Sequence, residues 1–209
     1  MALVDISRSI APTTSVWPGD QRVEWEWTTR LDDSDSSVNL GALQLSTHTA
    51  SHADAPLHVA SEGASIDELS LEVFVGPAEV VDVGDAAVIR PQHVRGVDAE
   101  RVLFKTSASA LSDEEWPDRV AAVQPDTIRR LSERGACLIG TDCPSVDPLS
   151  STDLPAHRAL IESGIVNLEG LCFENVPAGE YILIALPLKV PGADAAPVRA
   201  VLDDSPTFG

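Results

Sequence analysis

The sequence predicts an α/β fold built around a mixed β-sheet. Short apolar segments that alternate with polar residues recur through the first half of the chain, as in β-strands, and two later segments carry residues typical of helix starts and ends. The 209 residues contain no internal repeat and no low-complexity linker, and 44% of them are hydrophobic, which is enough to bury a substantial core. We therefore expect a single domain over residues 1–209.

The strands are predicted from apolar runs bounded by turn residues. In residues 23–29, Trp25 and Trp27 alternate with charged neighbours, which is the pattern of a half-buried strand. A polar turn is expected over residues 32–37. The predicted strands cover residues 3–7, 23–29, 42–47, 78–83, 101–106, 136–140, 181–186 and 198–202.

Two helices are predicted in the second half of the chain. The first covers residues 125–134, because a proline is favourable in the first turn and Gly135 stands where a C-terminal cap adopts a positive φ. The second begins with Asp153 as its N-cap, carries His157 in its first turn and stops at Gly164.

Two shorter segments complete the expected secondary structure. A short helix is predicted over residues 91–95, where His93 has no acidic or histidine neighbour and is expected to be a surface residue. Residues 167–170 are expected to form an irregular loop, which would place Glu169 on a loop.

Three of the chain's five histidines fall within a run of eleven residues that also contains an aspartate. The run has the spacing H-x3-H-x-D-x3-H, formed by His48, His52, Asp54 and His58. Imidazole and carboxylate are the usual ligands of borderline divalent cations such as zinc, and a histidine beyond the ligand set is a candidate proton carrier. The run is therefore the candidate site of the chemistry. The alternative is a solvated polar loop whose histidines share no role.

Metal binding would constrain the shape of this run. In an extended strand His48 and His52 would stand roughly 13 Å apart, which is too far for one ion, whereas residues a helical turn apart bring two imidazoles together. Residues 48–52 are therefore expected to form a tight turn. Pro56 disfavours helix at the preceding residue, so Asp54 is expected to follow the turn and fold back toward the ion.

The charge balance excludes one class of partner. Fourteen basic and thirty-three acidic side chains give a formal net charge of −19, which opposes binding to nucleic-acid phosphates. No apolar stretch is long enough to cross a membrane and the first residues lack the pattern of a signal peptide, so we expect a cytoplasmic protein without a membrane partner. Cys137, Cys143 and Cys172 form no close pair and are expected to be reduced and buried.

The histidine run resembles the H-x-G-T-H-x-D-x-P-x-H signature of the cyclase-like metal-dependent hydrolases, and within that family it is similar to the bacterial kynurenine formamidases. Here Ala50-Ser51 replaces Gly-Thr, which keeps a small residue and a hydroxyl, and we expect the change to be tolerated. The resemblance covers nearly the whole chain. It continues through Asp5-Ile6-Ser7, Val16-Trp17-Pro18-Gly19-Asp20 and Gly140-Thr141-Asp142-Cys143-Pro144-Ser145-Val146-Asp147, and then through His157 and Glu169 in the family's order.

The resemblance implies a swivelling β/β/α fold, a homodimer and a site for two divalent ions. Carried onto this chain, His48, His52 and Asp54 hold the first ion and His157 holds the second, while Asp54 and Glu169 bridge both. Zinc is the metal that the resemblance favours, although histidine and carboxylate ligands also suit manganese or iron.

The resemblance also implies a reaction, the hydrolysis of an aryl formamide, N-formyl-L-kynurenine, to L-kynurenine and formate. Hydroxide formed from water at the metal ions would attack the formyl carbon, and His58 would take the proton of that water and return it to the aniline nitrogen. Trp17 would give an aromatic face to the substrate ring, and its alternative role is to anchor a turn. The first alternative is that the chain is another amide or lactam hydrolase of this family, acting on isatin or a cyclic imide. The second alternative is that it is a metal-binding protein without catalytic activity.

Four further residues have two readings each. Asp142 and Asp147 either hydrogen-bond the ligand imidazoles or form turns in their own loop. Cys143 has no assigned histidine partner in the sequence, so packing is favoured over a nucleophilic role. Trp116 would line either a pocket or a subunit contact.

Overall fold

A nine-stranded mixed β-sheet forms the centre of the computed structural model, which describes residues 3–32 and 34–204. Within these residues the strands are β1 (Leu3–Asp5), β2 (Glu24–Thr29), β3 (Leu40–Gln44), β4 (His52–Asp54), β5 (Val75–Gly84), β6 (Val88–Ile89), β7 (Arg101–Thr106), β8 (Ala122–Val123), β9 (Leu138–Thr141), β10 (Val166–Glu169), β11 (Gly179–Ile184), β12 (Ala195–Pro197) and β13 (Val201–Asp203). The α-helices are α1 (Pro125–Ser132) and α2 (Pro155–Ser163), and 3-10 helices occupy Pro56–His58, Ile66–Glu68, Leu71–Phe74 and Ser107–Ala110.

The strands of the large sheet follow the order β1-β13-β11-β5-β7-β9-β10-β4-β12. Strands β5, β7, β9 and β10 run parallel to their neighbours at the centre, and the flanking strands pair antiparallel. Parallel strands are usually covered on both faces and therefore consist of continuous apolar runs. In β7, Val102, Leu103 and Phe104 are indeed all fully buried.

Buried side chains form a hydrophobic core on each face of this sheet. Alternation along β7 sends Leu103 to one core and Val102 and Phe104 to the other. The second core also contains Ile128 of α1 and Leu160 of α2, so both helices cover the same face. The first core draws on the flanking antiparallel strands β11 and β13.

The predicted fold class is confirmed, and every predicted strand overlaps an observed one. The strand predicted over 198–202 is partly wrong, because only its last two residues belong to a strand, β13, while β12 ends at Pro197. The helix predicted over 91–95 is wrong, since these residues form turns. The loop predicted over 167–170 is also wrong: Glu169 is the last residue of β10, which pairs with both β9 and β4. Pairing on both sides stabilises β10, whose four residues do not by themselves predict a strand.

Both long helices form where they were predicted, but α2 begins differently. Leu154 precedes it in a left-handed conformation with φ 46°, and Asp153 makes no capping hydrogen bond there. Instead the Asp147 carboxylate accepts the backbone N–H groups of Ala156 and His157. A carboxylate from the preceding loop therefore satisfies the helix start, which sequence adjacency did not reveal. No helix within the described part of the chain is long and apolar enough to cross a bilayer.

Strands β2 and β3 form a separate hairpin whose residues are almost all exposed. The alternation in β2 predicted one buried face, and this is wrong within a single chain, because Trp25 and Trp27 are 48% and 44% exposed. Their rings pack edge to face at 5.4 Å between centroids. Leu40 and Leu43 on β3 are similarly exposed, so the hairpin presents large apolar side chains on the surface of the chain.

Candidate active site

The histidine run passes from a turn directly into strand β4. The predicted tight turn over 48–52 is confirmed, since the rings of His48 and His52 lie 5.0 Å apart. Side chains alternate along β4, so Ala53 enters the core while His52 and Asp54 share the other face. Asp54 follows the turn, as predicted, and the alternation of side chains along the strand places it beside His52.

Strand β10 brings Glu169 next to this pair. It runs antiparallel to β4, with Glu169 opposite His52 and Asn167 opposite Asp54. The residue between Asn167 and Glu169 faces the core, so both polar side chains face the histidines. Helix α2 adds His157 from its first turn. Sheet register and one helix start thus gather residues that are far apart in sequence.

The Asp54 carboxylate lies at the centre of the cluster. Its Oδ1 is 3.1 Å from His48 Nδ1 and 3.4 Å from His52 Nε2, and its Oδ2 is 3.6 Å from His157 Nε2. Asn167 Nδ2 donates a hydrogen bond to Oδ2 at 3.1 Å. Asp54 is 6% exposed, so three imidazoles and an amide converge on a buried carboxylate.

Glu169 supplies a second buried carboxylate. Its Oε2 is 3.7 Å from His52 Nε2, and its Oε1 is 3.4 Å from His157 Nε2. Oε1 also accepts hydrogen bonds from the Val146 N–H at 2.9 Å and from Asn167 Nδ2 at 2.8 Å. Asn167 therefore bonds to both carboxylates and fixes one relative to the other.

In the two most buried histidines, the ring nitrogen that faces away from Asp54 and Glu169, here called the outer nitrogen, lies near a hydrogen-bond acceptor. His52 Nδ1 lies 3.0 Å from the Ala50 carbonyl oxygen, and His157 Nδ1 lies 2.8 Å from Asp147 Oδ2. An acceptor there favours the proton on the outer nitrogen of a neutral ring. The inner nitrogen, which faces the carboxylates, then offers a lone pair to a cation.

The unpaired atoms of the cluster fit a divalent cation. His52 Nε2 and Asp54 Oδ1 are buried without a hydrogen-bond partner, which costs free energy unless another group satisfies them. Ligand atoms of His48, Asp54 and His58 lie within 4.8 Å of one another, as do those of His52, Asp54 and Glu169. A donor set of nitrogen and oxygen without thiolate suits zinc, manganese or iron.

Mutual pairing shifts the pKa values of the cluster. Burial lowers the pKa of His48, but the nearby carboxylates of Asp54 and Asp194 outweigh that effect and raise the pKa to about 9. Burial likewise opposes the charge on His157, yet three neighbouring carboxylates raise its pKa to about 12. Burial would raise the pKa of Asp54, whereas the three neighbouring imidazoles hold that pKa well below its usual value. A cation at this site must therefore displace protons from the rings.

His58 lies at the edge of the cluster, at the end of the 3-10 helix Pro56–His58. Its ring centroid is 4.2 Å from that of His48 and 5.7 Å from that of His157. Its Nδ1 is 3.4 Å from Asp194 Oδ2, and its side chain is 30% exposed. His58 therefore borders both the candidate ligand group and the open space beside it.

A cavity of about 410 Å³ opens onto the cluster, and its lining includes four of the histidines. Trp17 and Trp116 line the same cavity and pack edge to face at 5.5 Å between centroids. Trp17 also begins a turn that is closed by a hydrogen bond from the Asp20 N–H to the Trp17 carbonyl at 2.9 Å. Trp17 is thus both a turn residue and a wall residue, and the volume suits a small molecule.

The turn before β4 places an alanine in a conformation that favours glycine. Ala50 has a φ of 56°, which costs a residue with a Cβ about 1–2 kcal/mol. Its carbonyl packs against Gly170, where an added Cβ would lie 2.3 Å from the Ala50 oxygen. The Ser51 hydroxyl donates a hydrogen bond to the Gly170 carbonyl at 2.6 Å. The chain therefore keeps this turn with Ala-Ser in place of Gly-Thr.

The structure brings together every residue that the sequence singled out for the site, with the aromatic residue on the cavity wall: His48, His52, Asp54, His58, His157, Glu169 and Trp17. Which of them are ligands and which act on substrate stays a prediction.

The two loop aspartates and Cys143 differ in what they contact. Asp147 contacts the imidazole of His157, whereas Asp142 accepts hydrogen bonds from Thr106 and Ser109 instead. Cys143 is 1% exposed, and burial together with the neighbouring Asp142 raises its pKa to about 11, which supports the packing role.

The remaining histidine and cysteines lie outside the cluster. His93 is partly exposed and its Nδ1 accepts the Arg90 N–H, as expected of a surface residue. All three cysteines are free, but Cys137 and Cys172 are only half-buried, so the prediction of burial is wrong for these two.

Two functional candidates were missed by sequence reasoning. Asp194 lies 146 residues from His48, and Asn167 lies 113 residues from Asp54. No local signal marks Asp194, whereas the i, i+2 spacing of Asn167 and Glu169 would have placed both side chains on one face had a strand been predicted there. Their proximity to the site arises from the pairing of β4 with β10 and β12.

The chain is similar to known proteins in sequence and in fold. Residues 4–148 match the model of a family described as Putative cyclase. The chain is 62% identical over 210 residues to the kynurenine formamidase of Salinibacter ruber (strain DSM 13855 / M31), covering 99% of each chain.

Two solved structures have closely similar folds. One, described as a potential metal-dependent hydrolase with cyclase activity, superposes with a TM-score of 0.83 at 28% identity, over 98% of this chain and 99% of that chain. Isatin hydrolase A from Labrenzia aggregata, bound to benzyl benzoate, superposes with a TM-score of 0.82 at 27% identity, over 96% of this chain and 93% of that chain.

Proposed function

The chain belongs to the putative cyclase family, and from this premise we propose that it is an arylformamidase that hydrolyses N-formyl-L-kynurenine to L-kynurenine and formate. The observation that carries the proposal is 62% identity over 99% of both chains to a kynurenine formamidase. The buried cluster of imidazoles and carboxylates beside an aromatic-walled cavity supports it independently, since hydrolysis of an amide needs an activated water and a proton donor.

We propose that this cluster holds two divalent ions, with zinc favoured over manganese. His48, His52 and Asp54 would hold one ion and His157 the other, while Asp54 and Glu169 bridge both. The buried atoms that lack partners, His52 Nε2 and Asp54 Oδ1, support this assignment. When bound, such ions supply Lewis-acid polarisation of water and of a carbonyl oxygen.

His58 is the residue proposed to move the proton. It takes the proton that water loses on adding to the formyl carbon, and it delivers that proton to the aniline nitrogen as the C–N bond breaks, so that kynurenine leaves as a neutral amine. Its partly exposed position at the cavity, with Nδ1 near Asp194, supports this role because the other ring nitrogen stays available.

The aromatic wall is proposed to position the substrate ring. Trp17 presents an aromatic surface to the anilide, an interaction worth about 0.5–1.5 kcal/mol beyond area burial. Its edge-to-face contact with Trp116 supports a fixed orientation for the indole.

We propose further that residues 1–209 form one domain and that the protein is a cytoplasmic homodimer. The β2–β3 hairpin supports the dimer, since Trp25, Trp27, Leu40 and Leu43 remain exposed on a single chain. A two-stranded hairpin is only marginally stable by itself, so a second copy packed against it would stabilise it. Sedimentation of the parent and of Trp27→Arg tests this: a dimer that the substitution dissociates is expected, and a monomeric parent contradicts the proposal.

One alternative activity has its own support. The similarity to isatin hydrolase A, with a TM-score of 0.82, favours lactam opening as the second candidate reaction. The same cluster could serve it, because both reactions add water to a carbonyl joined to an aryl nitrogen. A metal-binding protein without catalysis is a weaker third candidate, since the cluster opens onto a cavity instead of being closed by a fourth protein ligand.

The deciding experiment removes metal and restores single ions. The protein is treated with a chelator, reloaded with zinc or manganese, and assayed for formate release from N-formyl-L-kynurenine and for ring opening of isatin. We expect metal-dependent formate release that far exceeds isatin turnover. Faster turnover of isatin would favour the alternative, and turnover of neither with metal bound would favour the non-catalytic protein.

A further inference from the structure

The Asp194 carboxylate lies between two histidines that have different proposed tasks. Its Oδ2 is 2.9 Å from His48 Nε2 and 3.4 Å from His58 Nδ1. His48 is a proposed ligand, whereas His58 is the proposed proton carrier. His48 contacts Asp194 through Nε2 because its Nδ1 faces Asp54, and His58 contacts it through Nδ1, so one carboxylate contacts both rings.

Asp194 is itself held firmly. Thr47 Oγ1 donates a hydrogen bond to its Oδ1 at 3.1 Å, which leaves Oδ2 for the histidines. Its backbone carbonyl accepts the Ala55 N–H at 2.9 Å, and the next residue, Ala195, pairs with Asp54 in the β12–β4 ladder. The carboxylate is therefore attached to the same backbone frame as the proposed ligands, although its side chain is 41% exposed.

We propose that Asp194 is a positioning residue that fixes the tautomers of His48 and His58. A carboxylate only accepts hydrogen bonds, so each imidazole must present an N–H to it. His48 then carries its proton on Nε2 and offers the Nδ1 lone pair on the side of Asp54, 3.1 Å away. His58 carries its proton on Nδ1, which leaves Nε2 as the basic atom. The part that concerns His58 rests on the proposed function, and the part that concerns His48 rests on these contacts alone.

The competing explanation is that Asp194 merely fastens the segment before β12. Asp67 offers a matched control for that task, because its Oδ1 accepts the Gly192 N–H at 2.9 Å and the Ser65 hydroxyl at 2.8 Å. It anchors the same segment two residues away, and no contact between Asp67 and the histidines occurs in the described ranges. A purely structural role predicts similar effects at both aspartates.

The test compares Asp194→Asn with Asp67→Asn in zinc-loaded, full-length protein. Zinc affinity is measured by competition with a chromophoric chelator, and kcat and KM are measured with N-formyl-L-kynurenine. Long-range proton–nitrogen NMR reports which ring nitrogen of His58 carries the proton. For Asp194→Asn we expect zinc affinity and kcat each to fall about 10- to 100-fold with KM little changed, which is the usual effect of losing a carboxylate behind a ligand imidazole. We also expect protonation of His58 to move from Nδ1 toward Nε2.

The control variant, Asp67→Asn, should have the same zinc affinity, kcat and His58 tautomer as the parent protein. Equal losses at both positions, or unchanged zinc affinity and tautomer in Asp194→Asn, would overturn the proposal. If Asp194→Asn does not fold, Thr47→Val decides, since it frees the carboxylate to rotate: a smaller loss in the same direction supports the proposal, and no change overturns it.

The two proposals fail separately. If the parent protein turns over neither formanilide nor lactam, the proposed function is wrong. In that case zinc affinity and the tautomers of the histidine rings still test the proposal for Asp194, because neither measurement needs a substrate.

Discussion

Replacing His58 with alanine separates proton transfer from metal binding. General acid–base catalysis by one positioned side chain contributes about 10²- to 10⁴-fold in rate, or roughly 3–5 kcal/mol of barrier. The His58 ring is 30% exposed and its contact with Asp194 is 3.4 Å long, so its loss should cost folding stability less than about 1 kcal/mol. We therefore expect kcat to fall about 10²- to 10⁴-fold while the protein keeps its fold and its metal.

The assay measures metal and turnover on the same sample. Metal content is determined by elemental mass spectrometry after dialysis, and formate release from N-formyl-L-kynurenine gives kcat. His93→Ala is the matched control, because His93 is a histidine outside the cluster whose contact is with Arg90. That control should match the parent in both measurements.

One result would refute the division of roles. The ligand atoms of His48, Asp54 and His58 come within 4.8 Å of one another, so His58 is also placed where a ligand could be. If His58→Ala loses metal in proportion to activity, His58 is a ligand and proton transfer must be assigned to another group.

Four further predictions concern the same site and its surroundings. Asp54→Asn should leave the protein without bound metal and without activity, as measured by metal analysis of folded protein, because three imidazoles converge on this carboxylate; full metal retention would contradict its central role. Ala50→Gly should raise the free energy of unfolding by up to about 1 kcal/mol in urea titrations, since it relieves a φ of 56°. The Cys143 thiol, with a pKa raised to about 11 by burial and by Asp142, should stay unmodified by iodoacetamide at pH 8 while half-buried Cys137 and Cys172 react first, which peptide mapping would reveal. In chelator-treated protein the raised pKa of His48, from 6.5 to about 9, contributes stability that is fully present below pH 6.5 and is lost as the pH rises through 9, and the pKa of His157, raised to about 12, adds a loss of the same sign; the free energy of unfolding should therefore fall steadily from pH 6.5 to 9, and a flat profile would contradict the pairing.

The geometry of the cluster explains how a buried group of imidazoles and carboxylates forms in so acidic a chain. Acidic side chains outnumber basic ones enough to give a net charge of −19, but Asp54 and Glu169 are buried at 6% and 4% exposure among imidazoles. Burial removes competing water and leaves ligand atoms that only a cation or protons can satisfy. The surface charge and the site chemistry are therefore independent properties.

Sequence reasoning found the residues whose relationships are local. The spacing of His48 and His52 required a tight turn, and the structure has one, because two imidazoles on neighbouring turns approach each other through a few backbone angles. Helix α1 likewise begins at Pro125, since proline suits a first helical turn wherever the rest of the chain lies. The position of Asp54 after this turn was also a local inference, and the strand that carries it, β4, was not predicted.

The tertiary structure decided everything that depends on which strands become neighbours. Glu169 was expected on a loop, yet it stands opposite His52 because β10 pairs with β4, and Asp194 reaches His48 only because β12 pairs with β4 on its other side. Strand pairing is chosen by the packing of both cores at once, and no short segment contains that information. The sequence by itself determined the chemistry of the site, through its histidines and acids, while the register of the sheet determined which carboxylate faces which imidazole.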